Sequence, residues 1–312
     1  MNVVVTGADG FVGQWLCRAL LQAGHRVTGS HLAAAPAPGI LSAEERATVR
    51  WRRLDLADDA TVAALAAGPA DQVVHLAGFA SAGEAARDPG LAWVVNAAGT
   101  ARLAHHLSLA AAPPLLLLVS SAEVYGAGEP RPRRETDPIL PRSAYAASKA
   151  AAELAAEEVA RRTGLRVVVA RPFPHTGPGQ TATYAFPAFA ERIREAGRRG
   201  AATVPVGNLE PVRDLLDVRD VVDAYLALLA RGEPGEVYNV ARGEGVQVGE
   251  VFDHLARILG VPVRPVADPA LLRAADIPHL VGDPAKTFAA TGWRPRRTLD
   301  ETLQDLVDAQ AD

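Results

Sequence analysis

The chain has 312 residues, of which 49% are hydrophobic and 22% charged, and its formal net charge at pH 7 is −4. This length allows about two domains with a real hydrophobic core, and the negative charge argues against nucleic acid or an anionic membrane as partner. A single cysteine, Cys17, excludes an internal disulfide framework and fits a reducing compartment. We expect a soluble, cytoplasmic protein, since the N-terminus lacks a signal-peptide pattern and the longest strongly apolar run, 115–119, is too short to span a bilayer.

Short apolar strands alternate with helical segments along the first half of the chain. Strands are predicted at 2–6, 26–30, 49–54, 72–76, 115–119 and 165–170, and helices at 11–23, 58–67, 88–111, 143–162 and 218–229. This alternation predicts right-handed crossovers and an α/β fold, a Rossmann-type doubly wound parallel sheet. Proline-rich and glycine-rich segments after residue 171 predict a smaller, discontinuous C-terminal domain. We expect the main domain at 1–171 and about 206–235, and the smaller one at about 172–205 and 236–312.

A glycine-rich turn joins the first predicted strand to the first predicted helix. Gly7, Gly10 and Gly13 allow a tight turn and a close approach of the backbone to a pyrophosphate. The N–H groups at the helix N-terminus, including those of Phe11 and Val12, would bind that group. A turn of this composition can be purely structural, but strand, spacing and helix all agree. We therefore predict a dinucleotide site.

The end of the second strand bears on which dinucleotide binds. An NAD site usually has an acidic residue there, which accepts from the ribose hydroxyls. Here the strand ends in Ser30 and His31, and no acidic residue occurs between Asp9 and Glu44. The missing carboxylate removes a repulsion against a 2′-phosphate and favours NADP. NAD stays possible, because no arginine follows this strand.

Tyr145 and Lys149 lie four residues apart near the start of a predicted helix and so share one face. A cation beside a phenol favours the phenolate, which would bring Tyr145 towards acid/base work at neutral pH. The alternative is a pair on a helix surface. Lys149 and Lys286 are the only lysines in this arginine-rich chain, which indicates a requirement for the ammonium at position 149.

These segments resemble the extended branch of the short-chain dehydrogenase/reductase superfamily, the NAD-dependent epimerase/dehydratase family. The resemblance is carried by Gly7–Gly13, by 120–126 (SSAEVYG) and by Tyr145–Lys149. It implies that Ser121 polarises a substrate carbonyl while Tyr145 supplies a proton. It also implies that Lys149 holds the nicotinamide ribose and tunes Tyr145.

Further contacts with the dinucleotide follow from the same resemblance. The implied residues are Ser30, His31, Asp55, Leu56, Leu76, Ala77, Gly78, Tyr145 and Lys149, in addition to the glycine turn. Asp55 would contact the adenine edge, and a helix-capping role is an equal alternative for it.

Segments outside the catalytic core extend the resemblance to the GDP-6-deoxy-D-mannose reductases. They are 171–180, 206–214, 272–278 and 292–295. The implied substrate contacts are Glu123, His175, Asn208, Arg213 and Arg273, the two arginines being suited to a diphosphate. The donor edge of guanine would be met by Glu210 or by the backbone of Asn208. Pro174 departs from the family, whose asparagine at this position lies near the diphosphate.

The resemblance implies an NADPH-dependent reductase of a GDP-4-keto-6-deoxy-D-mannose-type substrate that forms GDP-D-rhamnose or its C4 epimer. A 4,6-dehydratase or 4-epimerase with a retained cofactor is the alternative favoured by Glu123, and a non-catalytic NADP sensor is a third. Eight histidines and one cysteine show no ligand spacing, so no metal is predicted. The alanine-rich helices 88–111 and 143–162 predict a homodimer through a four-helix interface, with internal packing as the alternative.

Overall fold

The chain is described here from a computed structural model, which covers residues 1–272 and 276–310. Strands and helices alternate through its first half, as predicted. In chain order they are β1 (Asn2–Thr6), α1 (Phe11–Gln22), β2 (Arg26–His31), α2 (Ala43–Thr48), β3 (Arg50–Arg53), α3 (Asp59–Ala66), β4 (Gln72–His75), α4 (Ala82–Arg87), α5 (Pro89–Ala92), a π-helical turn (Trp93–Ala98), α6 (Gly99–Ser108), β5 (Leu115–Val119), a 3₁₀ turn (Ala122–Tyr125), α7 (Ala144–Thr163) and β6 (Val167–Pro172).

The second half combines short strands with longer helices. Its elements are β7 (His175–Thr176), α8 (Ala185–Arg199), β8 (Thr203–Val206), β9 (Val212–Asp214), β10 (Leu216–Asp217), α9 (Val218–Arg231), β11 (Val237–Val240), β12 (Gly245–Gln247), α10 (Val248–Ile258), β13 (Arg264–Ala267), a 3₁₀ turn (Pro269–Leu271), β14 (His279–Leu280), α11 (Ala285–Thr291) and α12 (Leu299–Ala309). Small sheets join β10 to β7, β9 to both β12 and β14, and β13 to β8.

The central sheet has seven parallel strands in the order β11-β6-β5-β4-β1-β2-β3. Strand β1 lies between β2 and β4, so the chain reverses its direction of winding beside β1. In open parallel sheets, ligands bind at such a switch point, outside the carboxyl ends of the strands. The predicted Rossmann-type fold is confirmed, and its crevice opens above the glycine turn.

Apolar strands are buried on both faces of this sheet, as a parallel sheet requires. Val3 and Leu117 belong to one core, whereas Val4 and Leu116 belong to the core on the opposite face. A third core, which includes Phe189, Ile193, Phe252, Leu255 and Leu306, joins α8, α10 and α12. This core is separate from the two cores of the central sheet, and the division into domains stays a prediction.

Two details differ from the sequence predictions. The segment 88–111 is three helical pieces, because a π-helical turn interrupts it at Trp93–Ala98. Strand β11 pairs with β6 at the edge of the central sheet, although the sequence boundary assigned it to the smaller domain. Because only four residues form this strand, its apolar pattern is too short to show which sheet it joins.

Candidate active site

The glycine turn has the geometry of a pyrophosphate cradle. Gly7 has a φ of +66°, and its N–H donates to Ser30 Oγ at 3.0 Å. Gly10 begins α1 without a side-chain cap. A Cβ on Gly13 would lie 2.2 Å from Gly7 O, so only glycine allows the helix to approach the turn this closely. The first N–H groups of α1 therefore face a bare backbone concavity that fits a dinucleotide diphosphate.

The predicted adenosine contacts lie at the carboxyl ends of β2 and β3. His31 Nδ1 lies 2.9 Å from Ala33 O. Asp55 Oδ1 accepts from Ala57 N at 2.9 Å and so stabilises the turn before α3, while Asp58 caps that helix. Leu56 is buried in the core beside β4. The helix-capping alternative for Asp55 is therefore wrong, because Asp58 is the N-cap of α3.

Arg53 is a candidate cofactor residue that the sequence reasoning missed. It ends β3 in register with His31, and its Nε lies 3.4 Å from Leu32 O. It is exposed to solvent. The sequence analysis considered only an arginine that follows β2. Arg53 belongs to β3 and lies beside the end of β2 because the two strands pair.

The loop after β4 closes the crevice on the other side of β1. Thr6 Oγ1 accepts from both Leu76 N and Ala77 N at 3.1 Å. Gly78 has a φ of +143°, and a Cβ there would lie 2.4 Å from Asn96 Oδ1. The predicted cofactor contacts in this loop are Leu76, Ala77 and Gly78. The first two border the glycine turn, and Gly78 borders the π-helical turn.

Asn96 is a second residue that the sequence reasoning missed. It is buried in the π-helical turn, where Oδ1 accepts from Phe79 N and Nδ2 donates to Ser148 Oγ, each at 2.9 Å. It therefore ties the loop after β4 to helix α7. The available signal was a polar amide inside an otherwise apolar helical segment.

Ser121 and Tyr145 come together at the carboxyl end of β5. Burial raises the pKa of Tyr145, the nearby carboxylate of Glu123 raises it further, and a hydrogen bond with Ser121 lowers it. The net direction is upward, so Tyr145 is a neutral phenol at neutral pH. The expected lowering by Lys149 is not found, because burial and the carboxylate outweigh the effects that favour phenolate.

Lys149 is buried one helical turn from Tyr145, and its Nζ donates to Val119 O at 3.0 Å. Burial lowers the pKa of Lys149 to about 8, although the charge of Glu153 opposes the shift. Burial and the charge of Lys149 together lower the pKa of His75 to about 3. Lys286, by contrast, is an exposed partner of Glu236.

His75, whose pKa is lowered by burial and by the charge of Lys149, contacts the strand that precedes the glycine turn. Its Nδ1 lies 2.7 Å from Oγ1 of Thr6, the last residue of β1. The neutral ring, with Nε2 3.1 Å from Thr100 Oγ1, fixes the spacing between β1 and α6. The Ser–Tyr–Lys set thus lies beside the pyrophosphate cradle.

His175 lies over the glycine turn, because its ring stacks on Phe11 with centroids 6.3 Å apart. Burial lowers its pKa.

Glu123 donates its N–H to Ser121 Oγ at 3.2 Å, which fixes the carboxylate close to the reacting hydroxyls. Tyr184 also borders this site, as its charge would raise the pKa of Tyr145.

The remaining predicted substrate residues form a polar network on the smaller domain. Arg213 Nη2 pairs with Asp276 Oδ1 at 2.7 Å, and Asn208 Nδ2 donates to Asp276 Oδ2 at 3.2 Å. Arg213 Nη1 also donates to Ile277 O at 2.6 Å. Arg273 lies outside the described residues.

Two further properties of the chain bear on other function classes. In the described parts of the chain, no group of three or more His, Cys, Asp or Glu residues could hold a metal ion. No helix within 1–272 and 276–310 is long and apolar enough to cross a membrane.

A glycine cradle at a helix N-terminus, with a serine, a tyrosine and a lysine beside it, defines a short-chain dehydrogenase/reductase. The model of the NAD dependent epimerase/dehydratase family matches residues 3–241. The chain belongs to this family, whose members are NAD(P)-dependent enzymes that act on nucleotide sugars.

Individual relatives match over almost the whole chain. GDP-6-deoxy-D-mannose reductase of Pseudomonas aeruginosa is 36% identical over 98% of this chain and 96% of its own. The structure of RMD from Pseudomonas aeruginosa complexed with NADPH has a TM-score of 0.82 and 34% identity, covering 99% of this chain and 98% of that one. UDP-glucose 4-epimerase of Thermus thermophilus, in complex with NAD, has a TM-score of 0.87 and 31% identity, with 99% and 98% covered.

Proposed function

We propose that the enzyme reduces the 4-keto group of GDP-4-keto-6-deoxy-D-mannose with NADPH and forms GDP-D-rhamnose or its C4 epimer. Bound NADPH would supply the hydride to the carbonyl carbon. Tyr145 donates its phenolic proton to the carbonyl oxygen, which Ser121 orients and polarises by a hydrogen bond. Lys149 holds a positive charge near the phenol and stabilises the phenolate that remains.

The meeting of the Ser121 and Tyr145 hydroxyls at the carboxyl end of β5 is the observation that carries the proposal. Reduction of a ketone needs a proton donor and a group that orients the carbonyl oxygen, and these two hydroxyls supply both. The full-length likeness to GDP-6-deoxy-D-mannose reductase supports the same direction.

NADP is the proposed cofactor. No acidic side chain follows β2, and Arg53 lies in register with the end of that strand. Arg53→Gln should weaken NADPH binding roughly tenfold, the loss of one charged hydrogen bond, and leave NADH binding unchanged. Arg52→Gln is the matched control, since adjacent strand residues point to opposite faces. Quenching of protein fluorescence would give both affinities, and equal losses for NADPH and NADH would contradict the assignment.

GDP is the proposed nucleotide, and Arg213 its proposed diphosphate contact. The support is the paired set of Arg213, Asp276 and Asn208, which presents a guanidinium, a carboxylate and an amide in one network. Pro174, which offers neither an amide side chain nor an N–H, makes the diphosphate contacts of this chain differ from those of the family pattern.

The test is turnover of the purified protein with GDP-4-keto-6-deoxy-D-mannose. We expect stoichiometric loss of the reduced-nicotinamide absorbance and a product that retains GDP. No loss, under conditions where the Pseudomonas aeruginosa reductase is active, would refute the proposal. Tyr145→Phe is the inactive control, because it keeps the ring and removes the donor.

A dehydratase or epimerase with a retained cofactor is the second candidate, favoured by Glu123. Its carboxylate is close enough to raise the pKa of Tyr145 and could act as a base at C5 of the sugar. This mechanism predicts conversion of GDP-mannose or another nucleotide hexose without net consumption of cofactor. Product analysis with catalytic amounts of NADP⁺ or NAD⁺ separates it from the reductase.

A homodimer is also proposed. Leu91, Trp93 and Val94 next to α6 are exposed, and Leu154 is exposed on α7, so an apolar surface lies on the predicted interface helices. Trp93→Glu should shift the mass measured by light scattering from dimer to monomer. A wild-type monomer at micromolar concentration would refute this part.

A further inference from the structure

Arg133 is a buried arginine without an ion-pair partner among the described residues. Its side chain is 6% exposed, and its Nε and Nη2 have no hydrogen-bond partner in that part of the chain. Neighbouring arginines are paired: Arg131 lies 2.8 Å from Asp137, and Arg134 lies 3.2 Å from Asp283. A buried, unpaired guanidinium costs folding free energy, and such a group in a native structure requires an explanation, of which a bound ion or ligand is one.

The position of Arg133 is fixed from several sides. Its N–H donates to Val281 O at 2.8 Å, and its carbonyl accepts from Asp283 N at 2.7 Å. The guanidinium packs on Gly128, where an added Cβ would lie 2.5 Å from Nη1 and Nη2. Glycine therefore leaves the space that the guanidinium occupies, and the unpartnered nitrogens are held in a defined orientation.

A second unpartnered group lies close by. His279 Nδ1 is buried and has no hydrogen-bond partner within the described part of the chain. Burial lowers the pKa of His279, and the charges of both Arg133 and Arg213 lower it further. Strand β14 pairs His279 with Val212 of β9, the residue before Arg213. Arg133 lies at the end of the same strand, since its N–H donates to Val281 O. Two side chains with unpartnered nitrogens thus lie beside the strand that carries Arg213.

Arg213 and Arg133 differ in whether a carboxylate forms an ion pair with them. Asp276 neutralises Arg213 through a 2.7 Å ion pair. No ion pair joins Arg133 to a carboxylate within 1–272 and 276–310, and the charge of Arg133 acts only at longer range on Asp137, which is paired with Arg131. A phosphate suits this arrangement, because a guanidinium offers parallel N–H donors to two of its oxygens and a histidine can donate a third bond.

We propose that Arg133 and His279 extend the site of Arg213 and bind the diphosphate of the nucleotide-sugar substrate. This inference rests on the proposed function only in taking a nucleoside diphosphate sugar as the ligand, and it does not depend on the base or on the reaction. Arg133 supplies the charge and the planar donors, while Arg213, already paired with Asp276, mainly orients the group.

The experiment compares Arg133→Leu with Arg134→Leu, an exposed neighbour that loses the same charge. Isothermal titration calorimetry would measure GDP, UDP and dTDP, each against its own nucleoside. For whichever diphosphate binds, Arg133→Leu should raise Kd roughly tenfold or more and leave the nucleoside affinity unchanged. Arg134→Leu should change neither affinity.

Thermal unfolding without ligand separates binding from structure. Because Arg133→Leu removes a buried charge that forms no ion pair with the described residues, its Tm should equal or exceed that of the wild type. A lower Tm with an unchanged Kd would overturn the proposal and assign Arg133 a structural role. Stabilisation of the wild type by inorganic phosphate, with no effect of Arg133→Leu on nucleotide affinity, would also overturn it in favour of a free oxyanion.

Two further results test the inference without relying on the folding of Arg133→Leu or on GDP as the ligand. If Arg133→Leu does not fold, a crystal structure of the wild type with the bound diphosphate should show an Arg133 nitrogen within hydrogen-bond distance of a phosphate oxygen. Its absence would overturn the proposal. Weakened binding of UDP or dTDP, with no binding of GDP, would refute the proposed nucleotide and support the role of Arg133.

Discussion

Replacement of Lys149 by methionine should stabilise the protein and abolish its activity. Burial lowers the pKa of Lys149 from 10.5 to about 8, which means that the folded state disfavours the charged form by about 3 kcal/mol. Methionine fills a similar volume without a charge. The substitution also leaves Val119 O without the donor that now lies 3.0 Å away, a loss of about 1 kcal/mol. We therefore expect a net gain of about 2 kcal/mol at pH 7 in the absence of cofactor.

The direction in which the free energy of unfolding changes with pH tests whether the buried charge of Lys149 is the cause of the gain. Between pH 8 and 10.5 the unfolded wild type holds a proton on this lysine that the folded protein has released, so wild-type stability rises with pH in that window. The advantage of Lys149→Met should consequently be constant below pH 8 and disappear towards pH 10.5. Urea unfolding at several pH values measures both quantities. Lys286→Met, at an exposed site, should show no such trend, and a Lys149→Met variant less stable than wild type at pH 7 would refute the reasoning.

Three other substitutions test the site. Tyr145→Phe should lower kcat by roughly 10²- to 10⁴-fold and leave the cofactor Kd unchanged, as measured by steady-state kinetics and fluorescence titration. Ser121→Ala should lower kcat, because it removes the hydroxyl that hydrogen-bonds to Tyr145 and would orient the carbonyl, and steady-state kinetics would show the loss. Gly13→Ala places a Cβ 2.2 Å from Gly7 O and should cost about 1–3 kcal/mol in urea unfolding, whereas Gly83→Ala, whose Cβ meets nothing closer than 4.0 Å, should cost far less. Equal stability of the two glycine variants would contradict the packing argument.

The fold and the catalytic set were largely predictable from local sequence. Strands such as Val3–Val5 and Leu115–Val119 are continuous apolar runs because helices cover both faces of a parallel sheet. The glycine turn and Tyr145 follow from geometric demands that few residue types satisfy. Ser121 was found through the resemblance of the segment 120–126 to the family, which places a reacting hydroxyl four residues before Tyr125.

What could not be predicted depends on pairing between distant segments. Arg53 reaches the end of β2 only because β3 pairs in that register, and β11 joins the central sheet by pairing with β6. Asn96 lies in a π-helical turn that periodicity alone does not mark. The pKa of Tyr145 moved opposite to expectation because burial and the charge of Glu123, which spacing along a helix cannot measure, outweigh the hydrogen bond with Ser121.

The same physical reasoning explains why the costly groups cluster around one crevice. Lys149 is a buried cation, which burial disfavours, and Tyr145 is a buried phenol, whose ionisation burial disfavours. Arg133 adds a buried charge, unpaired within the described residues, on the side where the substrate would lie. Well-packed cores on both faces of the sheet can carry these costs, each being a few kcal/mol, because a fully buried aliphatic or aromatic side chain contributes about 1.5–3 kcal/mol. Ligands that satisfy the unpaired groups should then stabilise the protein more than their contact area suggests, since they also remove a penalty that the free enzyme already carries.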